Sequence, residues 1–520
     1  MTILADQNRL EALRLILPES SLLIDAKSLA LFSHDVLSRG KEPLAVFRPA
    51  NVEELAKGVG AVTDAGLAVV PRGGGMSYTG GYLFDHGAFV LVDTSALDAI
   101  LNINQADLTV TVEAGCSWDK LHRTLQPMGL RAFAWGTLSG VRANIGGGMS
   151  QNGLFWGARN GSAADGALSM DVVLADGTII STGSDFFRPF GPDLTGLFAS
   201  DCGAFGVKAR VTLKLVREAS AFAYGSFSFQ QHDALLCTMS AIAREELAAE
   251  SFAFDPFLQS QRMKRETLAK DAKQLGNMIK AQAKSGGVLK AMREGAKVAL
   301  AGRSFLDDVP FSLHCIAEGR YRDAVDADME RIEEIVRAHG GSVVENSIPK
   351  ILRVNPFPPP NSMLGPNGER WVPVHGFLPH SKLVEAWERL QDLWAANAVA
   401  MESLGIEIGA LIAASGRSSC LIEPVLFWPG EHNPLHHDAI EPDHMAKLKA
   451  QADNPQANAL VMEMRRQVIA IFRDMGAIHL QIARSFPLKE SHDAAAWEML
   501  RALKAQVDPK GLMNPGSLAL

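Results

Sequence analysis

The chain has 520 residues, too many for one ordinary core, so two or three domains are expected. Its 47% hydrophobic and 21% charged residues exclude a disordered chain, and 46 Gly and 25 Pro without a period exclude a fibre. A formal net charge of -8 argues against a nucleic-acid binder.

The first twenty residues read as an amphipathic helix, with no basic start, apolar core or small-residue cleavage site. PLAVFRPA is a strand, and Asn51 then caps a helix with Glu53 and Glu54 in its first turn and Gly66 as its stop. LAVVPRGGG is a strand running into a glycine turn. AFVLVDTS, LTVTVEAG, DVVLADG, TIISTG and ARVTLKLV are further strands, rich in Val, Ile and Thr. Ser117 starts a helix between two of them.

From about residue 220 the texture changes. FAYGSFSF is a strand, followed by a long Lys/Arg-rich helical stretch over about 258–303. FSLHCIAEG, RDAVDADMERIEEIVRAHGG and GSVVEN form a β-α-β unit. WVPVHGFLPHS (strand), SKLVEAWERLQDLWAANA (helix) and SSCLIEPVLFW (strand) form a second one in the same order. Residues 457–475 are helical, GAIHLQIARSF is a short strand, and a last helix ends in DPKGLMNPG.

Five scattered cysteines with no CxxC fit buried thiols in a reducing cytosol, and no stretch approaches a membrane-spanning length. The chemistry sits in two glycine-rich loops. In VVPRGGGMSYTGGYL, three consecutive glycines turn the backbone sharply and gather N–H groups at one spot, a nest for phosphate oxygens. Arg72 can add a charge, and Ser77 and Thr79 hydroxyls. Residues 135–180 again combine small residues with Ser, Thr, Asn and Gln before a hairpin. Two such loops in one domain point to a phosphate-bearing cofactor rather than to turns alone.

The order PRGGGMSYTGG, VEAGCSWDKLHRTL, GTLSGVRANIGGGMSQNG, DVVLADG, LFASDCGAFGV, with VDPKGLMNPGSL at the end, resembles the p-cresol methylhydroxylase/vanillyl-alcohol oxidase flavoprotein superfamily. The resemblance implies an α+β protein in three parts. Residues 1–218 would be a two-subdomain FAD-binding domain. Residues 219–474 would be a substrate cap, an antiparallel sheet covered by helices. Residues 475–520 would return to the FAD domain.

It further implies that Pro71, Arg72, Gly73, Gly74, Gly75, Met76, Ser77, Tyr78 and Gly81 wrap the FAD pyrophosphate. Gly136, Thr137, Ser139, Gly140, Asn144, Gly146, Gly147, Ser150, Gln151 and Gly153 would pass along the ring system. Gly203, Gly206, Val207 and Asn514 would complete the pocket. Met76 stands where some members carry a flavin-tethering His, and the cap segment SGRSSCLIEP has neither His nor Tyr, so FAD is expected to be noncovalent.

Two substrate classes fit: small 2-hydroxy acids such as D-lactate or glycolate, and para-substituted phenols or aromatic alcohols. Tyr78 is a residue that the phenol enzymes carry, but their Tyr-Arg pair before a His-Leu is replaced here by Gly476 and Ala477. A 2-hydroxy acid is therefore favoured, with an alkyl-transferase role as a further alternative. Candidate catalytic residues are His479, Tyr78, Arg484, Arg353, His375 and Glu423. His375, Glu423 and His479 are expected to point inward from strands. No metal is expected, since HGFLPH is not a recognised ligand spacing.

The expected partners are a small-molecule substrate and an electron acceptor (oxygen, quinone or a carrier protein), with no nucleic acid. Residues 262–303 carry eleven Lys or Arg against three Asp or Glu. This basic stretch leaves peripheral contact with a membrane open for a cytoplasmic protein, as it leaves a homodimer open.

Overall fold

The structure, a computed structural model, describes residues 2–263 and 310–520. The basic stretch expected at 262–303 falls, but for its first two residues, outside them. Mixed helix and sheet build an α+β fold around three sheets.

The first sheet joins β1 (Leu22–Leu23), β2 (Ala45–Phe47), β3 (Ala68–Arg72) and β4 (Phe89–Asp93) in the order β1-β2-β4-β3, parallel except at β1. Every residue of β4 is buried, as expected of a parallel strand covered on both faces. The helix Val52–Asp64 covers one face through Leu55, Val59 and Val62. Asn51 Oδ1 accepts the Glu54 N–H at 2.8 Å, which fixes where this helix begins.

The second sheet is antiparallel: β5 (Ile100–Asn104), β6 (Thr109–Glu113), β8 (Ala167–Val173), β9 (Ile179–Gly183) and β10 (Val207–Arg217) run β5-β6-β10-β8-β9. The short β7 (Leu130–Ala132) pairs with the end of β10.

The third sheet holds β11 (Ala221–Phe229), β12 (Glu250–Phe254), β13 (Phe311–Gly319), β14 (Ser342–Val343), β15 (Arg370–Pro373), β16 (Gly376–Pro379), β17 (Glu407–Ser415) and β18 (Ser419–Trp428). Its order is β14-β11-β13-β12-β17-β18-β15, all antiparallel, with β16 continuing along β18. Strand alternation divides its side chains. Cys420, Ile422, Leu426 and Trp428 pack with the helices His232–Arg244, Arg322–Ala338, Leu383–Leu404 and Pro455–Asp474. Leu421, Val425 and Phe427 face the other way, with Phe252, Phe254 and Leu411.

The structure corrects three expected elements. WVPVHGFLPHS is two short strands rather than one, because Pro373 and its neighbour Pro424 on β18 both lack the N–H that a continuous ladder needs. GAIHLQIARSF is not a strand. It makes a single bridge, Phe377 to Ile478, before Gln481 and Ala483 adopt left-handed φ of 50° and 44°. Only Ser342 and Val343 of GSVVEN pair in a sheet. The chain end packs back on the first sheet, where Val69 N donates to Leu512 O and Asn514 N to Val69 O, both at 2.8 Å.

Candidate functional site

A cavity of about 580 Å³ lies between the loop after β3, the segment 137–153, residues 202–208 and the face of the third sheet that carries Leu421 and Val425, with the helices Pro256–Met263 and Ser347–Val354 beside it. Of the expected cofactor residues, Pro71 to Tyr78, Gly81, Thr137, Ser139, Asn144, Gly146, Gly147, Ser150, Gln151, Gly153, Gly203, Gly206 and Val207 line it. Gly75 turns the first loop at φ +74°, a conformation that L side chains rarely adopt. Gly74 has a different reason. A Cβ there would lie 1.8 Å from the carbonyl oxygen of Arg142, so the glycine lets the two loops touch rather than leaving room for a phosphate.

Three expected cofactor residues lie outside the lining. A Cβ on Gly136 would strike Trp118 at 2.5 Å, and one on Gly140 would strike Phe357 at 2.2 Å, so both glycines make room for aromatic packing. Asn514 ties the loops together from behind, donating to Gly81 O at 3.0 Å and Cys202 O at 2.7 Å and accepting from Arg484 Nη2 at 2.8 Å.

Arg72 stands out electrostatically. It is 5% exposed, its guanidinium lies 4.5 Å from the Phe32 ring and 5.3 Å from the Tyr82 ring, and its Nε has no hydrogen-bond partner. Among the described residues no carboxylate pairs with it, whereas Lys208, which lines the same cavity, is bonded to Asp201. A buried cation without an anion costs free energy unless a ligand brings the charge. Arg72 beside three consecutive glycines therefore fits a diphosphate.

At the other end stands Tyr78, 8% exposed and edge-on to Trp371 at a centroid distance of 5.7 Å. Its hydroxyl is hydrogen-bonded with the Glu423 carboxylate and the Gln481 side chain. Burial, and then the charge of Glu423, hold the phenol well above its ordinary range. Glu423 reaches the cavity because it alternates with Leu421 and Val425 on β18.

Four of the expected catalytic residues are not in this lining. His479 Nδ1 lies 2.7 Å from His375 O, and its ring stacks on Phe486 at 4.1 Å. Its Nε2 is buried without a partner, and burial pushes the imidazole down to about 4. His375 Nε2 accepts the Leu480 N–H at 3.1 Å, and burial with the neighbouring His479 takes it to about 3. These two rings lock β15 and β16 to the segment 478–481. His380 lies elsewhere, 2.8 Å from Arg417 O. Arg484 donates to Gly80 O, Asn514 Oδ1 and Pro515 O at 2.7 to 2.8 Å, and burial lowers it to about 10. Arg353 pairs with Glu218 and sits 5.0 Å from the rings of Trp135 and Phe222.

The sequence reading missed Gln481 and Trp371. Gln481 lies two residues beyond His479, so period-2 alternation would have named both together. The left-handed turn at Gln481 sends the two apart.

Comparisons with known proteins agree with this geometry. Residues 43–183 match the FAD binding domain, and residues 482–518 match the C-terminal domain of FAD linked oxidases. The chain is 31% identical over 190 residues to glycolate oxidase subunit GlcD of Bacillus subtilis, and 31% identical over 198 residues to D-lactate dehydrogenase [cytochrome] 1, mitochondrial, of Saccharomyces cerevisiae. Those matches take in 36% and 37% of this chain and span only 40% and 33% of the two relatives. The solved structure of p-cresol methylhydroxylase with substrate bound superposes with a TM-score of 0.72 at 12% identity, covering 98% of this chain and 96% of that one, so the fold is shared. FAD is the cofactor that these domains bind.

Proposed function

We propose, from the premise that this chain carries the FAD domain and fold of the p-cresol methylhydroxylase-type FAD-linked oxidases, that it is an FAD-dependent oxidoreductase acting on a small hydroxylated substrate. The observation that carries this reading is the polarity of one cavity. An unpaired cation lies in a glycine loop at one end, and a Tyr-carboxylate-amide cluster lies under an apolar sheet at the other.

The loop amides and Arg72 would hold the diphosphate of FAD, with residues 137–153 along its ring system. Met76 offers no covalent link. FAD supplies a two-electron acceptor for the hydride of the substrate C–H bond. Glu423 takes the hydroxyl proton as the C=O bond forms, and Tyr78 and Gln481 hold the hydroxyl in place. The apolar wall of Leu411, Leu421 and Val425 keeps water from this step.

The electron acceptor would be oxygen, a quinone or a carrier protein. No helix among the described residues is long and apolar enough to cross a membrane. Attachment of a cytoplasmic enzyme to anionic lipid through the basic stretch at 262–303 would show as vesicle co-sedimentation that salt reverses.

The test is anaerobic mixing of the yellow protein with candidate alcohols, hydroxy acids and phenols. Bleaching by one class supports the reading, and Glu423→Gln should slow bleaching about 100-fold or more with FAD content unchanged. Equal rates in variant and parent would remove Glu423 from proton transfer.

A further inference from the structure

Among the described residues only three phenylalanines are exposed, and they stand together in one loop: Phe186 at 76%, Phe187 at 60% and Phe190 at 88%. Leu194, at the start of the helix Leu194–Phe198, is exposed next to them. The strand that runs into this loop, β9, ends the second sheet. It pairs with β8 on one side and with no strand of the described residues on the other, and it exposes Ile179, Ser181 and Gly183. None of these residues lines the cofactor cavity.

The loop is held from within. Ser184 Oγ donates to Phe187 O at 2.6 Å and accepts from Phe187 N at 3.0 Å. Arg188 uses all three guanidinium nitrogens on its own chain. Nε and Nη2 donate to the Asp193 carboxylate at 2.8 to 3.0 Å, and Nη1 donates to Ala164 O at 2.7 Å and Ala167 O at 3.2 Å. Asp193 also accepts the Gly196 N–H at 2.9 Å, which starts the helix. The rings therefore face solvent on a loop that is ordered without them, so covering them costs little chain entropy.

We infer that residues 179–194 are the contact face of a two-fold homodimer, with the phenyl rings at its centre and β9 along its margin. Area is the first reason for a second copy. At about 150–250 Å² for a buried aromatic side chain, the exposed fractions of the three rings come to about 450 Å². That is more than half of the roughly 800 Å² per partner of a stable interface, and Leu194 and the outer edge of β9 are there to supply the rest. Charge is the second. Residues 179–194 carry Arg188 against Asp185 and Asp193, and Arg188 is paired with Asp193, so the face can meet its own copy with little repulsion. This segment has no run of like charges by which an anionic lipid surface or a charged carrier protein would be recognised. The unpaired edge is self-complementary as well, since a two-fold axis sets a strand antiparallel to its copy.

Sedimentation velocity of the FAD-loaded full chain at micromolar concentration tests this. The parent should run at the mass of two chains. Phe186→Ser with Phe190→Ser should weaken self-association about 100-fold or more, because each copy loses the burial of two rings, while FAD content stays unchanged. Val399→Ser, at a residue 83% exposed on the helix Leu383–Leu404, should leave the dimer intact. A monomeric parent overturns the inference, and so does a dimer that the double variant does not weaken or that Val399→Ser weakens equally. With a monomeric parent, a loss of thermal stability in the double variant would show that another part of the same chain covers the rings. A loss of co-sedimentation with phosphatidylcholine vesicles would show instead that a bilayer does.

Discussion

Arg72→Met isolates the claim that this cation waits for a diphosphate. The side chain is 5% exposed and packed against Phe32 and Tyr82, so methionine fills much of its volume without a new cavity. In the apoprotein two effects oppose each other. Two cation–π contacts, each worth about 0.5–1 kcal/mol, and a hydrogen bond with Tyr82, worth about 1 kcal/mol, are lost, and the cost of a buried cation without an anion is removed. Apoprotein stability should therefore move by less than about 1 kcal/mol. With FAD bound the balance differs, because a hydrogen bond to a charged group contributes about 1.5–3 kcal/mol. Its loss weakens FAD binding by about 10- to 150-fold. At FAD equal to 100 times the parent Kd, ligand stabilisation is about 2.7 kcal/mol, and a 30-fold loss of affinity cuts it to about 0.9 kcal/mol. Fluorescence titration of apoprotein gives the Kd, and thermal unfolding with and without FAD gives the gap. An unchanged Kd, or an apoprotein that collapses on substitution, would mean that Arg72 serves the fold rather than the cofactor.

Gly74→Ala should destabilise apoprotein and loaded protein alike, by about 2 kcal/mol or more in thermal unfolding, because its Cβ would overlap Arg142 O. Loss of FAD binding with full apoprotein stability would contradict that reason. His479→Ala should cost about 1–3 kcal/mol of stability from the lost Phe486 stack and the contact with His375 O, while flavin bleaching by substrate changes less than threefold. A hundredfold slower bleaching would return His479 to the mechanism. Glu250 is pushed up to about 8, by burial first and with help from Glu318, so the folded chain holds its proton where the unfolded chain has lost it. Its contribution is full below about 4.5 and fades as pH rises towards 8. Glu250→Gln keeps an acceptor for the Gly157 N–H and should flatten the fall in stability over that range, by a few kcal/mol in all. An unchanged pH profile would refute the assignment.

What could be read from the sequence follows the regularity of the backbone. SSCLIEPVLFW reads as a strand, and residues two apart on a strand share a face, so Glu423 reaches the cavity with Leu421 and Val425. The glycine loop stood out because a second glycine-rich segment follows it in the same domain, since three adjacent glycines alone also occur in the helix Ile145–Gln151. The same reasoning failed at 476–484, where alternation was assumed and two left-handed residues broke it, taking His479 behind the wall and bringing Gln481 into it. Glycine identity was equally blind to what lies opposite the missing side chain, which is a ring at Gly136 and Gly140 but a carbonyl at Gly74.

The arginines carry the argument furthest. Arg72 is buried and Arg484 partly buried beside the glycine loop, and the sequence shows only that Arg72 precedes the three glycines, not which of the two the chain itself satisfies. Arg484 is satisfied by the carbonyls of Gly80 and Pro515 and the amide of Asn514, so it closes the structure. Arg72 has rings, a hydrogen bond with Tyr82 and an unpaired Nε, but no carboxylate among the described residues, so its charge is left for a ligand to meet. The functional difference between two chemically identical groups lies in their partners, and those of Arg484 come from two separate segments, the loop at Gly80 and the chain end at Asn514 and Pro515.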